Sequence, residues 1–188
     1  IWTWWFDSGI KQSEGHYVDD EQDGLWSYFS KDGSVAEEIT FSGGKRDGRS
    51  TVWLTPEEKQ EEKFYKNGKL DGPSTFWENG YRSTMTTYRS DSPEGPWVIW
   101  FSNSDQIKEQ GFHQKGIREG LTTYYYEDGT MQREGFFKEG LPDGMWTYWN
   151  KEGEKDFDFD FGSGLQHISL EDLVERESTF YKLGEDTP

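Results

Sequence analysis

The sequence predicts an all-β fold: an elongated single antiparallel β-meander built from about seven β-hairpin repeats of 24 residues, ending in a short C-terminal helix. Three observations carry that prediction. Gly24, Gly48, Gly72, Gly95, Gly120 and Gly144 are separated by 24, 24, 23, 25 and 24 residues. The positions after each Gly are filled by β-branched and aromatic residues. Tight-turn residues then recur at fixed offsets, too often for helices to fit between them.

With each of these glycines as position 0, the first strand of the repeat reads off directly. Position 2 is Trp2, Trp26, Ser50, Ser74, Trp97, Thr122 and Trp146. Position 5 is aromatic in every copy: Trp5, Phe29, Trp53, Trp77, Trp100, Tyr125 and Trp149. Such residues favour a pleated, half-buried surface. A turn follows at Asp7-Ser8-Gly9, Asp32-Gly33, Asn79-Gly80, Asp128-Gly129 and Glu152-Gly153. Asn-Gly and Asp-Gly mark hairpins in which both central residues adopt positive φ. The copies beginning at Gly48 and Gly95 carry Pro56-Glu57-Glu58 and Asn103-Ser104-Asp105 there instead, which predicts looser tips. A second strand closes on an aromatic at Tyr17, Phe41, Tyr65, Tyr88, Phe112, Phe137 and Phe161, and a second Gly turn leads to the next copy. Connections this short force antiparallel neighbours. About fourteen strands spaced by roughly 4.8 Å make a ribbon on the order of 65 Å long. Strict alternation puts positions 2 and 4 on one face and 1, 3 and 5 on the other; the face of the closing aromatic stays open.

The composition fits a thin fold. Aromatic residues make up 18% of the chain and all hydrophobic residues 31%, so rings supply more than half of what can be buried. Each ring covers roughly 150–250 Å². The net charge of −17 disfavours nucleic acid and anionic membrane as partners and favours a protein with a basic surface. The chain contains no Cys, which removes thiolate chemistry and disulfides and suits a periplasmic, extracellular or cytoplasmic protein alike. Because Ile1-Trp2-Thr3-Trp4-Trp5 already stands mid-pattern, the reading is of a segment of a longer binding surface, with any targeting segment upstream.

The running pattern G-x-W-x-Y-F…D-G…E-x-x-F/Y…G-x-x-x-G is clearest over Gly24–Gly48 and Gly120–Gly164. It resembles the MORN repeat, in the bacterial variant found in YwqK-type, antitoxin-like proteins. The resemblance spans residues 1–164 and implies an elongated antiparallel sheet with aromatics on a curved surface and a role in protein contacts, with membrane association credited to eukaryotic relatives. Residues 165–188 fall out of phase and are expected to be a cap or a linker. Ser169–Arg176 there has an N-cap, first-turn acids and a terminal Arg suited to a short helix, and Ser178–Tyr181 reads as a strand.

No catalytic, cofactor-binding or metal-binding constellation stands out. His16, His113 and His167 lie in separate repeats, and Asp156-Phe157-Asp158-Phe159-Asp160-Phe161 alternates as a strand does and lacks the Gly and Glu that a calcium loop needs. Two features point to partner binding instead. An acid stands three residues before the closing aromatic at Glu14, Glu38, Glu62, Glu109, Glu134 and Asp158; it is either a solvated strand residue that discourages edge pairing or one rung of an acidic track. Position-5 rings left exposed, with Trp53, Trp77 and Trp100 the candidates, would anchor a partner. The expected function is therefore that of a non-enzymatic protein-interaction or scaffold module, belonging to a larger assembly and using Trp53, Trp77, Trp100, Glu38, Glu62, Glu109 and Glu134. The alternative is an antitoxin or immunity protein that neutralises a basic toxin.

Overall fold

The computed structural model describes residues 1–162. It contains Trp2–Trp5 (β1), Lys11–Val18 (β2), Glu21–Phe29 (β3), Val35–Ser42 (β4), Lys45–Trp53 (β5), Lys59–Lys66 (β6), Lys69–Glu78 (β7) and Tyr81–Arg89 (β8). The series continues with Ser92–Trp100 (β9), Ile107–Gln114 (β10), Ile117–Arg118 (β11), Gly120–Tyr125 (β12), Met131–Lys138 (β13), Leu141–Trp149 (β14) and Lys155–Asp160 (β15). All of them form one antiparallel sheet in chain order, with β11 pairing β10 just before β12 takes over. The all-β meander predicted from the repeat is therefore what forms. The C-terminal helix and strand expected at Ser169–Arg176 and Ser178–Tyr181 lie outside the described residues.

The repeating glycines have a specific task. At every junction between copies the register slips by two residues on the strand that carries position 0, as between Glu14↔Ser27 and His16↔Asp23, or between Glu134↔Thr147 and Phe136↔Asp143. The extra residues form a bulge whose Gly has positive φ, from 64° at Gly144 to 124° at Gly72, a region in which a Cβ is strained. A second bulge recurs within each hairpin. Trp4 pairs with Ser13 and Trp5 with Lys11, leaving Gln12 over, and the same break follows Tyr28, Val52, Phe76, Tyr124 and Tyr148. The extra residue lies on the second strand of the hairpin, so alternation along the first strand is unbroken and position 5 keeps to the face of positions 1 and 3: the Tyr125 hydroxyl accepts from Gln110, which pairs with Thr123.

The turns differ from the sequence-based expectation. The tight two-residue turns with positive φ at both centres lie between copies, at Asp19-Asp20, Gly43-Gly44, Asn67-Gly68, Ser90-Asp91, Lys115-Gly116 and Glu139-Gly140. Within hairpins only Asn79-Gly80 has that form. The Asp-Gly tips are longer: at Ser30–Ser34 and Tyr126–Thr130 only Gly33 and Gly129 turn left-handed, with Gly33 and Gly129 donating back to the Ser30 and Tyr126 carbonyls at 2.9 and 3.0 Å. Asp32 and Asp128 instead accept from the Ser34 and Thr130 amides. The spacings of 23 and 25 come from tip length as well. The Asn79-Gly80 tip is one residue shorter than the rest and the tip between Trp100 and Ile107 one longer, so the sheet itself stays in phase.

One face carries the core. Trp26, Trp97 and Trp146 are 1–2% exposed, and each lies over a glycine on an adjacent strand. A Cβ at Gly15 would overlap the Trp26 indole, one at Gly135 the Trp146 indole, and one at Gly111 would sit 2.8 Å from Trp97. Trp26 and Trp146 lean back over the preceding strand, and their Nε1 groups donate to the His16 and Phe136 carbonyls at 3.0 and 3.2 Å. Trp97 is preceded by Thr86 rather than Gly, so it leans forward over Gly111, and its Nε1 has no partner among the described residues. The closing aromatics join this same face: Tyr17 and Phe41 pack edge-on to Trp26, and Phe137 and Phe161 to Trp146. Where no Trp occupies position 2, the small residues Ser50, Ser74 and Thr122 are buried instead.

Gly135→Ala is expected to destabilise the protein by about 2–3 kcal/mol, because the added methyl meets a fixed indole. In a urea-unfolding double-mutant cycle, Trp146→Leu should recover part of that loss. Additive effects would mean that ring and glycine do not constrain each other.

Candidate interaction face

The face opposite the tryptophans is built from two rows that cross the strands. The first row runs Thr3, Glu14, Ser27, Glu38, Thr51, Glu62, Thr75, Met85, Val98, Gln110, Thr123, Glu134, Thr147 and Asp158, each directly paired with the next. Acids alternate with hydroxyl residues except at the apolar step Met85-Val98 and at Gln110. Acids on alternate strands are about 9.6 Å apart, where like charges repel by only about 0.4 kcal/mol in water. The row therefore tolerates its own charge.

Glu38, Glu62 and Glu134 stand in this row. Glu109 does not: the longer tip after Trp100 shifts its strand, so Gln110 takes the rung and Glu109 faces the tryptophan side. There it lies 3.5 Å from Arg118. The same shift puts His113, not Phe112, in the closing-aromatic slot, 5.7 Å from the Trp97 ring and opposite Arg118. Burial, then the Arg118 charge, lowers the His113 pKa.

The hairpin bulge brings a cation to some rungs. Lys11, Lys59 and Lys155 bridge Glu14, Glu62 and Asp158 at 2.6, 2.7 and 2.6 Å. Glu38 and Glu134 have Val35 and Met131 at the corresponding place. Two of these lysines also cover position-5 rings of the next copy, Lys11 over Phe29 and Lys59 over Trp77, while Arg82 covers Trp100 at 4.7 Å. The position-5 rings are accordingly more enclosed than a free anchor: Trp100 is 8% exposed, and Trp53 and Trp77 are half-buried. A cation–ring contact is worth roughly 0.5–1 kcal/mol at such sites, so these residues link one copy to the next.

The second row, two residues further along the strands, was not singled out by periodicity. Its members Pro96, Phe112, Leu121, Phe136 and Met145 lie on β9, β10, β12, β13 and β14. Phe112, Leu121, Phe136 and Met145 are 44, 46, 55 and 57% exposed. The sequence signal was available at the corresponding places of the earlier copies, where Leu25, Phe64 and Pro73 pair with Thr40, Arg49 and Thr87, whereas from Pro96 to Met145 every strand supplies an apolar residue. Single exposed apolar residues are ordinary, but a contiguous set marks a contact surface.

A third recurring acid was also missed. Asp23, Asp47, Asp71, Glu94, Glu119 and Asp143 immediately precede the bulge glycines. Asp47, Asp71, Glu94 and Glu119 accept hydrogen bonds from the Asn67, Ser90, Lys115 and Glu139 amides, the first residue of the next inter-copy turn, at 3.0, 3.2, 2.7 and 2.9 Å. These acids hold turn to turn along one edge of the ribbon. The Asn67 amide and the Lys66 ammonium hold the Asp47 carboxyl below its ordinary value of 3.8.

Folding and site thus define an open β-hairpin repeat protein with two unlike faces. A family model described as the MORN repeat variant matches residues 22–42 and 118–139, which supports MORN-type repeats in this array. No curated protein matches it. MORN repeats are in general protein- and membrane-interaction scaffold modules.

Because the Asp47 pKa is depressed on folding, its contribution is present above the unfolded value and disappears as pH falls through the folded one. Asp47→Asn is therefore expected to lower the thermal midpoint at pH 7 and to shrink the wild type's further loss below about pH 4. An unchanged midpoint at both pH values would show that the turn-to-turn bond contributes nothing.

Proposed function

We propose that the chain is a non-enzymatic protein-interaction scaffold that binds a basic protein partner on its acid–hydroxyl face and holds it within a larger assembly. The observation that supports this is the pairing of an acidic row, containing Glu38, Glu62 and Glu134, with a neighbouring row of exposed apolar side chains. Apolar area supplies affinity, whereas the charges govern approach and exclude wrong partners. The net charge of −17 argues against nucleic acid and anionic lipid as ligands. Trp53 and Trp77, half-buried near the hairpin tips, would contribute at the rim, and the enclosed Trp100 through the order it imposes on its neighbours.

A second reading, an antitoxin or immunity protein for a basic toxin, rests on the same charge. Growth rescue of cells that express a toxin encoded beside this chain distinguishes the two.

The test is a triple charge reversal, Glu38→Lys, Glu62→Lys and Glu134→Lys, with Glu109→Lys on the other face as control. Affinity of the purified partner should fall at least tenfold in the triple variant and change little in the control, and wild-type binding should weaken from 50 to 300 mM salt. Equal retention by both variants would contradict the assignment.

A further inference from the structure

We propose that the element bound on this face is a basic amphipathic α-helix of about thirteen residues, lying across β9, β10, β12, β13 and β14. The inference rests on the interaction-scaffold reading above and specifies its partner. The exposed row Pro96, Phe112, Leu121, Phe136 and Met145 puts one apolar side chain on each of five successive strands. Strands about 4.8 Å apart make that row about 19 Å long, and a helix rising 1.5 Å per residue covers it in about thirteen residues.

Spacing decides between a helix and an extended segment. A helix offers one side chain per 5.4 Å turn to a surface, against about 4.8 Å per strand, so the mismatch accumulates to about 2.4 Å over four steps. Flexible side chains such as Met145 absorb that. An extended peptide laid along the same row presents same-side residues every 6.4–6.8 Å, and the mismatch grows to about 7 Å. The main-chain groups of these inner strands are already paired to both neighbours, so strand addition has nothing to bond here.

Charge complementarity fixes the polar side of the helix. Gln110 and Glu134 lie two residues from the apolar row, about 7 Å away along their strands, and Asp158 continues the acid row on β15, paired with Thr147. Glu134 and Asp158 are two strands apart, about 9.6 Å, and basic residues seven apart on a helix are about 10.5 Å apart. Glu134 has Met131 rather than Lys at the place where Lys11 and Lys59 bridge the earlier acids. Its carboxylate therefore has no such lysine to displace, which marks it as the charge that a helix would engage.

The experiment uses the full chain and two synthetic peptides of equal Leu and Lys content. One spaces Leu at i, i+3, i+4, i+7 and i+11; the other alternates Leu and Lys. Binding is read by fluorescence anisotropy in 150 mM salt and helix content by circular dichroism. The helical-period peptide should bind at least tenfold tighter than the alternating one and gain helix on binding. F136S combined with M145S should weaken it at least tenfold and E134K about threefold, whereas L54S, at an exposed tip on another part of the sheet, should have no effect. Equal binding of the two peptides, indifference to F136S/M145S, or no binding of the helical-period peptide would overturn the inference. If the helical peptide fails while the natural partner still depends on Glu38, Glu62 and Glu134, only the helix is wrong; if the partner is indifferent as well, the scaffold reading falls with it.

Discussion

A sheet one layer thick has no second layer to cover its rings, so each large side chain must find room on the strand beside it. In this chain that room is made by glycine. Trp26, Trp97 and Trp146 are almost fully enclosed because Gly15, Gly111 and Gly135 leave the neighbouring strand bare beneath them. Without that pairing the same indoles would stand exposed, and a chain in which rings dominate the apolar content would have little else to bury. The tilt of Trp97 shows the rule at work: with Thr86 behind it and Gly111 ahead, it leans the other way and leaves its Nε1 without the hydrogen bond that Trp26 and Trp146 make.

Charge is arranged around this packing. Carboxylates before the bulge glycines hold the inter-copy turns, lysines at the hairpin bulge join an acid of their own strand to a ring of the next copy, and arginines such as Arg118 lie over Trp97 and Phe137. Individually such exposed interactions are weak. Recurring along the array, they fix the orientation of neighbouring hairpins, since a copy in a linear array contacts only its neighbours. With about half of the described Lys and Arg side chains occupied in this way, the outer face is left acidic and, toward its C-terminal half, apolar.

The architecture was legible in the sequence because the glycine ruler, the β-branched and aromatic positions and the short turns all report the same period. The details that decide the surface were less so. Sequence spacing treats Phe112 and Glu109 as equivalents of Phe41 and Glu38, but a single extra residue in the tip before Ile107 moves His113 and Gln110 into those places. Trp53, Trp77 and Trp100 looked like anchors since nothing in a one-dimensional pattern shows that Arg82 or Lys59 will lie over the ring of the following copy. The turn-holding acids at Asp47, Asp71, Glu94 and Glu119 were readable in principle, as an acid before every anchor glycine, although their hydrogen-bond partners lie about one repeat further on.

Small-angle scattering of the full chain tests the single-layer account most directly. Fourteen successive strands in one open meander give a maximum dimension on the order of 65 Å. A compact domain of this length would have a radius of gyration of about 16 Å and a diameter near 40 Å. A concentration-independent maximum dimension at or above the larger value is the result this account requires. A profile matching a compact globule would mean that the sheet folds back on itself, that the outer face is not free, and that the tryptophans are buried by a second layer rather than by glycine.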